Sequence, residues 1–304
     1  MRKVTVRAPA TSANLGAGFD VFGLSLGCLY DEVSLELRSE RGIILELAGG
    51  YCVPEDETKN CASVAARTVF GLKGEKRGAI MRIKKGIRPA SGMGSSAASS
   101  AAGALAASLL LGGLSTEELL RCAAEGERAS CGSSHMDNVA PALFGGFTIV
   151  RSYEPIDVVR IDPPENLGVV AILPEVSVST RVAREILPQN VAVSDAVKNI
   201  GNASAFVAGM VMGDISLAGR AMEDAIFERA RGPLVPWLSE VKRAAIDAGA
   251  LGSALSGSGP AVMAIFDRRV RDGHEIGKAM KEALGMEGEA YVCVSFPAAC
   301  EVSA

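Results

Sequence analysis

The sequence lacks the features that would assign it to several protein classes. Its seven cysteines are odd in number, scattered and never spaced CxxC. This pattern predicts neither a disulfide framework nor a structural zinc site, so we expect small buried thiols in a reducing cytoplasm. Lys and Arg total 31 against 35 Asp and Glu, a net charge of −4. There is no basic excess of the kind that nucleic acid or an anionic membrane requires, and the expected partner is a small molecule.

Long apolar runs are also missing. The first ten residues alternate like a strand and lack the apolar core of a signal peptide, so export is not predicted. The segment from Ala97 to Leu114 is rich in Ala, Ser and Gly and ends in a Gly-Gly break. It therefore predicts a buried helix, because its hydropathy is too weak for a membrane span.

What is present predicts two domains of the α+β class. The chain has 304 residues, 48% of them hydrophobic, which is more than one core usually serves. Period-two alternation predicts strands, and spacings of three and four predict helices. The strands are 3–8, 33–37, 43–47, 79–84, 169–173, 251–255, 261–266 and 290–294, and the helices are 61–70, 96–111, 117–129, 194–212, 215–225, 236–248 and 268–284. Since strands and helices do not alternate strictly, we expect antiparallel-rich sheets. The Pro-rich stretch Asp162–Glu165 predicts a boundary between domains 1–163 and 164–304.

A glycine-rich segment, PASGMGSSA at 89–97, follows a predicted strand and opens a predicted helix. Glycines let the backbone approach a ligand, and a helix N-terminus favours phosphate. A Walker A loop is excluded, because no Lys-Ser or Lys-Thr follows at the required spacing. Gly92-x-Gly94-x-x-Ala97 matches a dinucleotide-binding loop only formally, since the preceding strand is not continuously apolar. A phosphate-binding loop with Ser95 and Ser96 at the helix start and a plain serine-capped helix both remain open.

Three further features each have an ordinary interpretation. Residues 8–20, APATSANLGAGFD, taken alone predict a strand-to-strand loop in which Asn14 and Asp20 make local turn hydrogen bonds. Residues 256–260, SGSGP, predict a β-hairpin turn, or a loop whose N–H groups close over a ligand. Glu127 and His135, taken alone, are expected to be a surface carboxylate and a structural histidine.

Taken together, these segments resemble the motifs of the galactokinase, homoserine kinase, mevalonate kinase and phosphomevalonate kinase (GHMP) superfamily, in the same order and at similar spacing. Residues 89–97 resemble its second motif, and GALGSALSGSGPAVMA at 249–264 resembles its third. NLGAGFD at 14–20 and HMDNVAP at 135–141 resemble strings that mark the homoserine kinase branch. The resemblance spans nearly the whole chain. It implies an N-terminal domain like the ribosomal S5 domain-2 fold, a ferredoxin-like C-terminal domain and a site between them.

The resemblance also implies an activity: ATP- and Mg²⁺-dependent phosphorylation of L-homoserine, yielding O-phospho-L-homoserine and ADP in threonine biosynthesis. The implied protein is a cytoplasmic homodimer that binds neither nucleic acid nor membrane. The alternatives are a GHMP kinase acting on another alcohol such as shikimate, a nicotinamide-binding oxidoreductase, and a non-catalytic ATP-binding regulator.

Site residues are implied in the same way. The nucleotide would be bound by Pro89, Gly92, Met93, Gly94, Ser95, Ser96 and Ala97, with Asn60 and Lys85 near the nucleoside. Mg²⁺ would be held by Ser96 and Glu127. The substrate ammonium would face Asn14 and Asp20, and its carboxylate Arg184 and Arg231. Asn138 would contact the hydroxyl, with His135 lining the same pocket, and Asn138 and Arg184 are the expected catalytic residues.

Asn138 lies near the position at which several relatives, such as mevalonate kinase, have an aspartate available as a base. An amide cannot accept a proton, so we expect transfer without a dedicated base. A loose phosphoryl-transfer transition state needs mainly positioning and charge neutralisation, which Mg²⁺, Lys85 and backbone N–H groups would supply.

Overall fold

The computed structural model describes residues 3–302, except the side chain of Cys131; the outermost residues of both predicted domains, 1–2 and 303–304, lie outside this range. Seven strands form a first sheet: β1 (Lys3–Asn14), β2 (Gly18–Arg38), β3 (Ile43–Ala48), β4 (Gly78–Lys84), β5 (Phe147–Tyr153), β6 (Ile156–Ile161) and β11 (Cys300–Glu301). Their order is β11-β1-β2-β4-β3, and β5 pairs with both β2 and β6. Of these pairs only β3 with β4 is parallel.

Four helices belong to the same half of the chain: α1 (Cys61–Lys73), α2 (Ser95–Leu110), α3 (Thr116–Cys131) and α4 (Met136–Phe144). Helix α2 consists almost entirely of Ala, Ser and Gly, and most of its residues are buried. Small side chains let it lie close to α1, α3 and β1 at once. The predicted buried helix is thus confirmed, and no helix within residues 3–302 is long and apolar enough to cross a bilayer.

The second sheet contains β7 (Leu167–Pro174), β8 (Gly252–Leu255), β9 (Val262–Asp267) and β10 (Gly288–Cys293), in the antiparallel order β10-β7-β9-β8. Helix α9 (Leu238–Asp247) precedes β8, and α10 (Gly273–Leu284) precedes β10; both pack on this sheet. Strand, helix, two strands, helix and strand is the ferredoxin-like sequence of elements. Between β7 and α9 lie α5 (Thr180–Glu185), α6 (Val193–Met212), α7 (Ile215–Arg220), α8 (Phe227–Arg231) and a 3₁₀ turn (Gly232–Leu234). The predicted α+β class with two domains is confirmed, and the boundary at 162–165 stays a prediction.

Local capping explains the main differences from the predicted elements. The helix predicted at 215–225 ends at Arg220, because Asp224 accepts hydrogen bonds from the backbone N–H groups of Ile226, Phe227 and Glu228, where α8 begins. The helix predicted at 268–284 begins only at Gly273, where Asp272 is the N-cap. Residues 8–20 are mostly strand, and only Leu15–Ala17 form a turn.

The prediction about cysteines was wrong in two respects. Cys28 in β2 and Cys293 in β10 form a disulfide that joins the two sheets, with Cα atoms 5.2 Å apart. Cys52 and Cys300 are exposed thiols, so the cysteines are not uniformly buried. The paired residues are 265 positions apart, and such a pairing cannot be deduced from spacing alone.

Candidate active site

A cavity of about 500 Å³ lies between the two halves of the chain and opens over the N-terminus of α2. Most residues that the sequence singled out line it: Asn14, Asp20, Asn60, Lys85, Pro89, Gly92, Gly94, Ser95, Ser96, Glu127, His135, Asn138, Arg184 and Arg231. Met93 and Ala97 do not line it, because both side chains are fully buried in the hydrophobic core.

The three glycine-rich segments meet at this cavity. Backbone N–H groups join the first segment to the other two: Thr11 donates to Met93 O (3.1 Å) and Gly257 donates to Ala13 O (3.1 Å). The hydroxyl of Ser256, in the third segment, donates to Gly92 O at 2.7 Å. Residues more than 150 positions apart in the chain therefore form one wall. The predicted hairpin at 256–260 is also present, since β8 and β9 pair as antiparallel neighbours.

The loop at 89–97 has the geometry of a phosphate cradle. Gly92 (φ 79°) and Gly94 (φ 64°) adopt left-handed conformations, and a Cβ on Gly92 would lie only 2.6 Å from Ser256 O. Gly94 is the N-cap of α2 and gives no side-chain cap, so the first N–H groups of the helix have no side-chain acceptor there. The alternative of a plain serine-capped helix is therefore wrong, and the positive end of the helix faces the cavity.

Ser96, Glu127 and His135 form a polar cluster beside that loop. Ser96 Oγ donates to Glu127 Oε1 at 3.0 Å, and His135 Nδ1 lies 3.1 Å from the same oxygen. Glu127 is only 3% exposed, so the expectation of a surface carboxylate was wrong. A hydroxyl and a carboxylate are ligands that Mg²⁺ accepts, and this ion usually completes its shell with water and substrate phosphates. Within residues 3–302 no cluster of three or more His, Cys, Asp or Glu is arranged for a metal.

Lys85 is 7% exposed and its ammonium is committed to a buried network. It pairs with Asp31 and donates to Ser95 O (3.1 Å), Ser95 Oγ (2.7 Å) and Ser99 Oγ (2.9 Å). Asp31 also accepts the backbone N–H groups of Gly86 and Ile87, both at 3.1 Å. The network therefore holds the first turn of α2 against β2 and the end of β4. Neither Asp31 nor Ser99 was singled out from the sequence.

Asn60 also has a local structural role. It is the N-cap of α1, where its Oδ1 accepts the N–H groups of Ala62 (3.1 Å) and Ser63 (3.3 Å), and its Nδ2 donates to Pro54 O. It lies beside Val53 and Pro54, which form an apolar part of the cavity wall. Asn60 thus lies at the cavity, as the predicted nucleoside contact requires. Its side-chain oxygen and nitrogen already form hydrogen bonds within the protein.

The far end of the cavity is strongly charged. Arg184 forms a bidentate pair with Asp20, with N–O distances of 2.9 and 3.0 Å. Arg231 is 5% exposed, donates to Gly257 O and Ala183 O, and lies 5.1 Å from the ring centre of Phe19. The Asn14 side chain accepts the backbone N–H of Asp20, which is one local hydrogen bond of the expected kind, and donates to the distant Gly257 O. The expectation was wrong for the Asp20 carboxylate, which pairs with Arg184 instead.

Asn138 and Asp137 lie between the two ends, on the first turn of α4. Thr11 Oγ1 donates a hydrogen bond to Asn138 Oδ1 at 2.8 Å. This bond orients the amide, so that its carbonyl oxygen is occupied and its NH₂ group is the part of the amide that remains for a ligand. Asp137 lines the cavity and is 2% exposed. Burial, and secondarily the charge of Asp20, raises its pKa to about 6. Asp137 was not predicted from the sequence, although a carboxylate in the mostly apolar helix MDNVAPALF was a signal that could have identified it.

Comparisons with known proteins identify the family of the chain. The model for the GHMP kinases N terminal domain matches residues 59–146, and the model for the GHMP kinases C terminal domain matches residues 202–283. The homoserine kinase of Pyrococcus furiosus is 48% identical over 290 residues, covering 94% of this chain and 96% of that protein. The homoserine kinase of Pyrococcus abyssi is 45% identical over 293 residues, covering 95% and 96% of the two chains.

Solved structures of kinases are also similar to this chain. A crystal structure of homoserine kinase from Cytophaga hutchinsonii superimposes with a TM-score of 0.94 at 40% identity, covering 99% of this chain and 98% of that one. The mevalonate kinase of L. major shares the fold with a TM-score of 0.71 at 18% identity, covering 94% of each chain. With whole-length identity of this order and both domain models matched, the chain belongs to the homoserine kinase family of GHMP kinases, and is a phosphotransferase.

Proposed function

We propose that this protein transfers a phosphoryl group from ATP to the hydroxyl of L-homoserine, yielding O-phospho-L-homoserine and ADP as a step of threonine biosynthesis in the cytoplasm. The observation that carries the proposal is that one cavity joins a glycine-lined helix N-terminus to a pocket with two arginines and two carboxylates. The first suits a triphosphate, and the second suits a zwitterion. The names of the relatives support homoserine among small amino acids.

At the nucleotide end, backbone N–H groups of the 92–96 loop and the dipole of α2 would bind the phosphates. Ser96 and Glu127 would hold Mg²⁺, which neutralises charge on the transferring group. Through its hydrogen bond to Glu127, His135 would orient that carboxylate. The contacts of Lys85 support a different role from the one expected: its charge is balanced by Asp31, and it positions the loop.

At the substrate end, Arg184 and Arg231 would bind the carboxylate, with Asn14 and Asp20 nearby. Asn138 would donate its NH₂ group to the reacting hydroxyl, since its carbonyl oxygen is taken by Thr11. As a donor, this amide positions the hydroxyl and accepts no proton. The arrangement supports direct transfer driven by positioning and charge neutralisation.

A coupled ADP-release assay with L-homoserine, L-threonine, shikimate and mevalonate tests the proposal. We expect turnover with L-homoserine, a requirement for Mg²⁺, and weak or no turnover with the other three alcohols. Turnover with shikimate and none with homoserine would overturn the substrate assignment. ATP binding without turnover of any alcohol would indicate a regulator, and binding of NADH in place of ATP would overturn the nucleotide assignment.

A further inference from the structure

The positively charged side chains of the cavity differ in how far other groups of the protein already balance their charge. Among the described residues, those that line it are Lys59, Lys85, Arg181, Arg184 and Arg231. Lys85 pairs with Asp31 inside the protein. Arg184 pairs with Asp20, and Arg231 is buried against two backbone carbonyls at the far end. Lys59 and Arg181 therefore remain as candidates for neutralising the charge of a bound nucleotide.

A bound triphosphate requires such a cation. Its oxygens stay anionic even when Mg²⁺ is bound, and negative charge is spread over the oxygens of the transferring group during the reaction. Glu127 and Asp137 add negative charge to the same cavity. Lys85 was expected to offset this charge, but its ammonium is committed to a buried network. The phosphoryl group therefore needs a cation besides Mg²⁺.

Lys59 lies where the nucleoside is predicted to bind. It directly precedes Asn60, the N-cap of α1, and lines the cavity together with Val53 and Pro54. Its ammonium is 3.8 Å from the carboxylate of Asp56. These neighbours associate Lys59 with the predicted nucleoside contact and not with the phosphate loop.

Arg181 belongs to the part of the wall that adjoins the phosphate loop. It is on the first turn of α5, directly after Thr180, whose Oγ1 is 3.4 Å from Ser258 Oγ in the third glycine-rich segment. The same segment contacts the phosphate loop through the hydrogen bond from Ser256 Oγ to Gly92 O. Contacts of neighbouring residues thus connect Arg181 with the phosphate loop.

A second contact ties the backbone before Arg181 to the same loop. Arg88, at the entrance to the loop, donates from Nη2 to Pro174 O and to Val176 O, the latter at 3.1 Å. These two carbonyls belong to the end of β7 and to the connection between β7 and α5. The chain that leads to Arg181 is therefore held against the start of the phosphate loop.

The side chain of Arg181 is itself loosely held. It is 82% exposed, and its Nε is 3.6 Å from Glu185 Oε1, one turn farther along α5. An exposed pair of this kind adds little stability, so a phosphate can take the place of the carboxylate. A guanidinium also matches phosphate oxygens with two parallel hydrogen bonds.

We propose that Arg181 is a further catalytic residue, whose guanidinium binds the γ-phosphate of ATP and neutralises charge on it during transfer. The inference rests on the proposed function, because the group that Arg181 binds is the one transferred. In that step the substrate hydroxyl oxygen forms a bond to the γ-phosphorus. The bond from this phosphorus to the β–γ bridging oxygen breaks, and its electron pair leaves on ADP. The hydroxyl proton passes to an oxygen of the phosphoryl group, and Arg181 stays protonated throughout.

The test measures ATP and ADP binding by isothermal titration without an alcohol substrate, because only ATP carries the γ-phosphate. In Arg181→Gln we expect the Kd for ATP to rise by about fivefold or more and the Kd for ADP to stay unchanged, since charge-assisted hydrogen bonds are lost. With L-homoserine, kcat should fall by about tenfold or more while the KM for homoserine stays unchanged. Arg181→Lys keeps a positive charge and should retain part of the preference for ATP over ADP.

Arg121→Gln is the matched control. Arg121 is also an exposed arginine paired with a carboxylate one turn away on its own helix, Glu117, but it does not belong to the cavity wall as described. This variant should keep both Kd values and kcat at the wild-type level.

An unchanged ratio of ATP to ADP affinity in Arg181→Gln would overturn the inference, as would a wild-type kcat. A raised KM for homoserine with intact ATP binding would also overturn it, because Arg181 would then belong to the carboxylate pocket. A wild-type enzyme that binds ATP but phosphorylates no alcohol would overturn the proposed function, whereas the binding comparison would still decide the γ-phosphate contact.

Discussion

Glu127 connects three parts of the site: its Oε1 accepts from Ser96 Oγ at the head of α2 and contacts His135 before α4. In the sequence it is one of several acidic residues on α3, and nothing in the helical pattern separates it from Glu125. In the structure Glu125 is 44% exposed in its side chain, whereas Glu127 is buried beside the phosphate loop. Burial and partners therefore identify the functional carboxylate.

We expect Glu127→Gln to lower kcat by about 10- to 100-fold and to raise the Mg²⁺ concentration for half-maximal rate, because an amide is a weaker ligand for a hard cation. Steady-state assays across a Mg²⁺ series measure both effects. Glu125→Gln, on the same helix and paired with Arg128 at the surface, should leave both unchanged. A Mg²⁺ response in Glu127→Gln equal to that of the wild type would contradict the proposed metal site.

Asp137 predicts a pH dependence of stability in the ligand-free protein. Its pKa is raised from 3.8 to about 6, so ionisation at neutral pH opposes folding by on the order of 3 kcal/mol. This cost is largest above pH 6 and disappears as the pH falls through 6 towards 3.8. Asp137→Asn should therefore unfold at a higher temperature than wild type near pH 7.5, with a smaller difference near pH 5. Thermal unfolding at the two pH values measures this, and a variant less stable than wild type at both would refute it.

At the scale of elements, most strands and helices could be predicted from periodicity, because each has one face buried against a neighbour. The first and last residues of these strands and helices could not be predicted in this way. Strand β2 was predicted only at 33–37, but it runs from Gly18 to Arg38, since β1 pairs with both of its halves, β5 with its first half and β4 with its second half. Helix boundaries followed the N-cap Asp272 and the hydrogen bonds that Asp224 accepts from the backbone at the start of α8, and periodicity detects neither.

A pair of glycine variants can distinguish the effect of backbone strain from the effect of a displaced phosphate loop. The first glycine is Gly94, at the N-terminus of α2. Gly94 has φ 64°, and a Cβ there would overlap Thr11 Oγ1 and lie 3.0 Å from Asn138 Oδ1. We expect Gly94→Ala to weaken ATP binding by about tenfold or more, because it displaces the loop and the Thr11–Asn138 hydrogen bond. Isothermal titration with ATP measures the change.

Gly74→Ala is the control for that variant. Gly74 has the same φ of 64° at the C-terminus of α1, with no atom within 4 Å of an added Cβ. It should lose about 1 kcal/mol of stability from backbone strain and keep its affinity for ATP. Equal affinity in the two variants would mean that the loop does not bind the nucleotide.

For the whole molecule, the homodimer remains a prediction, and α6 offers a surface for it. Val193, Val197, Ile200 and Val211 are each more than 60% exposed and recur at helical spacing along one face. An exposed apolar face on a helix of 20 residues is typical of an interaction surface. A two-fold axis near the middle of α6 would pack this face against the same face of a second copy of the chain.

If this face forms the dimer, Ile200→Glu should yield a monomer, because an unpaired charge would be buried at the centre of the interface. Light scattering coupled to size-exclusion chromatography measures the mass. Val270→Glu, at a residue 69% exposed outside α6, should leave the mass unchanged. A wild-type protein that is already monomeric would refute the dimer, and a dimeric Ile200→Glu would place the interface elsewhere.

The sequence alone determined the class, the family and fourteen of the residues that line the cavity, because glycine-rich loops and their flanking motifs are local strings whose chemistry does not depend on distant residues. Only the tertiary structure decided which groups are paired inside the protein. The Lys85–Asp31 network, the Asp20–Arg184 pair, the Cys28–Cys293 disulfide and the burial of Asp137 all depend on contacts between separate elements. Whether a charge is free to bind a ligand is set by such neighbours and by exclusion of water, and neither can be read from residue spacing.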